Sequence, residues 1–112
     1  MPDTPDCRES LNDEYFRLTC ETLPDRARRE DWVVCRDHCF QRILLDNVLG
    51  TAWRTRLTAK LPAYRQLSDT QMSEAVSLAH RIDAEGDGLL RILNENSLRW
   101  RGKVQPSGNE TV

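Results

Sequence analysis

The stretch that decides the fold is residues 31–50, DWVVCRDHCFQRILLDNVLG. Its apolar members are Trp32, Val33, Val34, Cys35, Cys39, Phe40, Ile43, Leu44, Leu45, Val48 and Leu49. Plotted at about 100° per residue they go nearly all the way round a helical wheel, and a helix apolar on most sides is a buried one. The reading is a central helix over about 31–49, started by Asp31 as N-cap and ended by Gly50, which takes the left-handed conformation at little cost. Two polar residues intrude on it. Arg36 and Asn47 fall at about 40° and 60° from Trp32 on the same wheel, and are therefore expected as buried polar groups in need of partners, with Asp13 or Glu14 available to Arg36.

Working outward, Thr4-Pro5 starts a first helix over about 5–22, with Asp6 and Glu9 at the positive end of its dipole. Leu11, Tyr15 and Leu18 form one apolar face, and Phe16, Cys20 and Leu23 a second. Pro24 is expected to stop this helix, leaving PDRARRE (24–30) as a charged loop. On the other side of the centre, Trp53, Leu57 and Leu61 suggest a short helix over about 52–60, closed by the turn before Pro62. Ser68 and Gln71 have the spacing of a capping box, with Leu67 and Met72 as a hydrophobic staple. Met72, Ala75, Val76, Ala79 and Ile82 then keep a helical period to Gly86. A last helix spans about 87–101, with Leu89, Leu90, Ile92, Leu93 and Trp100 on its apolar side. No strand-like alternation persists. The expectation is an all-α fold, a compact bundle of about five helices around the central one, in a single domain over 1–102, with residues 103–112 a disordered tail.

The chain has 112 residues, 38% hydrophobic and 30% charged, which suits one globular domain. Purely apolar runs such as Ile43-Leu44-Leu45 are far too short for a membrane span, and the acidic, polar start MPDTPDCRES does not read as an export signal. A cytoplasmic location is therefore expected. Four cysteines, Cys7, Cys20, Cys35 and Cys39, are then expected as reduced thiols.

Charge is unevenly placed. Residues 1–31 hold nine acids and five bases, net −4; residues 32–68 hold two and six, net +4; residues 69–112 hold seven and five, net −2. The net total of −2 argues against general nucleic-acid binding. Between Asp46 and Asp69, however, there is no acid. That interval holds Arg54, Arg56, Lys60 and Arg65 with Trp53 and Tyr64 interleaved, a composition suited to an acidic protein partner or to phosphate contact and base stacking. These six residues are the expected partner-binding set.

Cys35-x-x-His38-Cys39 is the one grouping with metal-ligand chemistry. Thiolate and imidazole together favour zinc, and Cys20 or Cys7 could complete the set if the first helix packs on the second. The grouping resembles the zinc-binding anti-sigma motif in residue types, but its spacing departs from the His-x3-Cys-x2-Cys of that family. The simpler expectation is that the cysteines are core residues and no metal or other cofactor is bound. LSDTQMSEAVSLA (67–79) has the opening of a helix-turn-helix, yet Ala79 occupies the place of the turn glycine and the helix reads on to about Glu85. No Walker loop, nucleophile elbow or H-E-x-x-H motif is present. The functional expectation is a small non-enzymatic regulatory or protein-interaction module, an adaptor or inhibitor of a larger partner. A nucleic-acid-associated regulator and a zinc or thiol-redox switch are the alternatives, and a homodimer is a further assembly considered.

Overall fold

The computed structural model describes residues 4–102, with side chains from residue 8 onward. The expectations for residues 103–112 and for the Cys7 side chain lie outside them. The described chain is all-helical. Helices α1 (Thr4–Arg17), α2 (Leu23–Glu30), α3 (Asp37–Leu49), α4 (Ala63–Gln66), α5 (Asp69–Glu85) and α6 (Asp87–Trp100) follow one another, α4 being a single turn. No helix among these residues is long and apolar enough to cross a membrane.

The first surprise is that Pro24 does not stop the first helix. Residues Leu18–Thr22 form a π-helical turn that leads directly into α2, and Leu23 donates its N–H to the Leu18 carbonyl. Proline breaks a regular helix because its ring meets the carbonyl one turn back and it has no N–H to give. The wider π turn just ahead of Pro24 relieves that clash, so the chain continues. The expected loop 24–30 is therefore helix. Asp25 pairs with Arg29 at 3.0 Å and Arg26 with Glu30 at 3.0 Å, both at the four-residue spacing that supports a helix, while Leu23, Pro24 and Ala27 are buried.

The central helix is shorter than expected. Asp31 does not begin it; its backbone is left-handed (φ 59°) and it closes α2. Residues 32–36 run without helix, as β-branched Val33 and Val34 favour, and Arg36 is extended at φ −104°, ψ 149°. The segment is tied down by the Val33 N–H, which donates to Asp87 Oδ1 at 2.9 Å, and by Arg26, whose guanidinium lies 5.1 Å from the Trp32 ring centroid. The remaining α3 is still the axis of the fold. It touches α2, the π turn, α5 and α6, and it contributes Phe40, Ile43, Leu44 and Leu45 to the core. Gly50 ends it at φ 74° as the sequence suggests.

The expected helix over 52–60 reduces to one 3-10 turn, Trp53–Thr55. Asp46 Oδ1 accepts the Trp53 N–H at 2.8 Å, and Gln66 binds the loop from the far side, accepting from Thr58 N–H and donating to the carbonyls of Thr58 and Leu61. Side chains thus satisfy backbone groups that a helix would otherwise use. The Trp53–Leu57–Leu61 stripe does not form, and Leu61 is 55% exposed. By contrast, the capping box is present in both directions, Gln71 N–H to Ser68 Oγ at 3.0 Å and Ser68 N–H to Gln71 Oε1 at 2.9 Å. Helix α5 then runs unbroken to Glu85, so no helix-turn-helix bend occurs within it.

Candidate functional site

Along α3, His38, Gln41, Arg42 and Leu45 recur at spacings of three and four and so share one face. That face looks onto Tyr15 and Phe16 from α1 and onto Trp53, Arg54, Pro62, Ala63 and Tyr64 from the segment after α3. Between them lies a cavity of about 480 Å³, which Arg101 also lines. Its walls are aromatic. Tyr15 and Phe16 meet edge to face at 5.1 Å, and Phe16 and Tyr64 do so at 4.8 Å. Arg54 lies over the Trp53 ring at 5.4 Å. No carboxylate is among its lining residues.

A buried polar network stands behind the cleft. Asp46, fully buried, accepts from the Trp53 N–H, from Ser97 Oγ at 2.6 Å, and from Arg101 Nε at 2.7 Å and Nη2 at 3.1 Å. Arg42 donates to Ser97 Oγ at 2.7 Å and to Asn94 Oδ1 at 3.0 Å. The network joins α3 to α6 and to the start of the 53–66 segment, so it sets the position of Trp53 at the cleft. Burial raises the Tyr15 hydroxyl well above the usual phenol range, and the nearby Cys20 thiol adds to the effect.

Three of the residues expected to bind a partner, Trp53, Arg54 and Tyr64, line this cleft; Arg56, Lys60 and Arg65 are exposed beyond the lining. Arg36 is exposed, not buried, because the helix that would have carried it inward begins only at Asp37. Asp13 is also exposed, and Glu14 pairs with Arg17 and His80 instead. Asn47 is half-buried, donating to the carbonyls of Ile43 and Leu93 and accepting from Asn96, and it lines a second groove with Glu74 and Arg81. The cysteine grouping is split: Cys35 precedes α3 while His38 and Cys39 lie in its first turn, and Cys20 is exposed. No group of three His, Cys, Asp or Glu comes together to hold a metal among the described residues.

Sequence reasoning missed Tyr15, Phe16, Arg42 and Arg101; Asp46 stands out in the sequence beside Asn47 at the end of an apolar helix, but without its partners. Tyr15 and Phe16 show in the sequence only as members of the apolar faces of one helix. Arg42 was legible through the His38-Gln41-Arg42-Leu45 spacing, a polar notch in an otherwise apolar helix. Compared with protein-family models, curated proteins and solved structures, the chain matches none.

Proposed function

We propose that this protein is a non-enzymatic interaction module that docks an acidic segment of a protein partner on the surface formed by residues 53–65 and the rim of the cleft. One observation carries the reading. Arg54, Arg56, Lys60 and Arg65 are exposed and, among the described residues, none has a carboxylate within ion-pair distance, whereas Arg8, Arg17, Arg26, Arg29, Arg81, Arg91 and Arg101 each do. Exposed cations beside aromatic rings supply electrostatic steering and stacking area to an acidic partner. The net charge of −2 over the whole chain favours a protein over a nucleic acid, since it gives a long polyanion no overall attraction. The absence of a catalytic motif from the sequence supports a non-enzymatic role.

The test is fluorescence anisotropy of the whole chain against a leucine-containing, glutamate-rich peptide and against single-stranded and duplex DNA of equal charge. The reading expects saturable peptide binding that weakens with salt and is lost in the Arg54→Glu/Arg56→Glu variant. DNA bound more tightly than the peptide, or peptide binding that survives the double reversal, overturns it.

A further inference from the structure

Arg42 and Tyr15 make the interior of the cleft more particular than its rim. The two acceptors of Arg42, Ser97 Oγ and Asn94 Oδ1, are both neutral. The nearest acid of the network, Asp46, already holds Arg101 and accepts the Ser97 proton. Arg42 is thus held in position with its charge uncompensated, facing a cavity without a carboxylate. Tyr15 lines the same cavity at 1% exposure, and its hydroxyl has no hydrogen-bond partner among the described residues. A buried donor without an acceptor is destabilising, so an acceptor entering the cavity would recover that cost.

The walls restrict the occupant further. An aromatic box by itself would suit a quaternary ammonium ion, but Arg42, Arg54 and Arg101 exclude a cation. The Phe16–Tyr64 pair and Trp53 instead offer ring edges and faces to a flat ring. The volume of about 480 Å³ lies inside the range of roughly 300–1,000 Å³ usual for small organic ligands. We infer that the cleft binds a small planar aromatic carboxylate, its ring among Phe16, Trp53 and Tyr64 and its carboxylate on the Arg42 guanidinium, with the Tyr15 hydroxyl as a further donor. This site shares Arg54 with the surface that would meet a partner, but its carboxylate recognition rests on Arg42, so either can hold without the other.

The test is an NMR titration of the full chain with 2-naphthoate, read at the Trp53 indole N–H, which a Trp53→Phe sample identifies. A saturable shift is expected, with 2-naphthamide binding roughly tenfold more weakly because it lacks the charge that Arg42 recognises. Arg42→Gln should abolish this preference for the acid while leaving amide binding in place, and the same spectra report that the variant is folded. Tyr15→Phe, which keeps the ring, should weaken naphthoate binding several-fold. Arg56→Glu, aimed only at partner docking, should leave it unchanged. The inference is overturned if naphthoate gives no saturable shift at about millimolar concentration, if octanoate binds as tightly, or if Arg42→Gln keeps the acid preference.

Discussion

Two regions of this molecule treat arginine in opposite ways. In residues 8–30 and 69–101, most arginines have an ion-pair partner: Arg26 reaches both Glu30 and Asp83, Arg29 reaches Asp25, Arg81 reaches Glu85 and Arg91 reaches Asp87. Arg28 and Arg99 are exceptions. In residues 36–65 none of Arg36, Arg42, Arg54, Arg56, Lys60 and Arg65 has one among the described residues. The difference is set largely by local spacing. Acids interleaved at four residues find a cation on the next helical turn, whereas a stretch without acids must look to another element or another molecule. Pairing on the outer helices adds only tenths of a kcal/mol per exposed pair, so the unpaired cations forgo little stability by remaining available.

The comparison can be broken or sharpened by substitution. The largest effect is expected at Asp46, where the pair is buried. Asp46→Ala strands Arg101, Ser97 Oγ and the Trp53 N–H, and should cost about 3–5 kcal/mol in urea unfolding, with the indole signal of Trp53 displaced. A loss below about 1 kcal/mol would mean the network does not hold the cleft.

Next is an alkaline transition at Tyr15. Its folded-state pKa is raised by burial, so the folded protein keeps a proton that the unfolded chain releases near pH 10. The stability this contributes is complete below pH 10 and declines as pH rises further. Thermal melts from neutral to strongly alkaline pH should show that decline, and Tyr15→Phe should flatten it while costing little at neutral pH. An equal decline in both proteins would assign it to other groups.

Arg26→Gln removes two partly exposed ion pairs and the contact with Trp32, and should lower stability by about 1 kcal/mol. The smallest effect belongs to the unpaired region: Arg54→Gln with Arg56→Gln should leave unfolding midpoints within about 0.5 kcal/mol of the parent. A larger loss would show that these cations have structural work after all.

By itself the sequence determined the helical class, the central position of α3, the Gly50 stop and the Ser68–Gln71 capping box. Each is a local pattern, a period or a cap, whose energetics are settled within a few residues. It also marked Trp53, Arg54 and Tyr64, because an acid-free run is visible in composition alone. Tertiary structure decided what local rules leave open. A π turn carries the first helix past Pro24, and the chain from Asp31 to Arg36 stays out of the helix, where Asp87 accepts the Val33 N–H from across the fold. Asp46 shows in the sequence as a polar residue beside Asn47 on an apolar helix, but its role in ordering the cleft does not, because its partners Ser97 and Arg101 lie more than fifty residues away. A carboxylate on an apolar helix finds its role only when another helix brings a guanidinium to it, and that meeting depends on packing rather than on spacing.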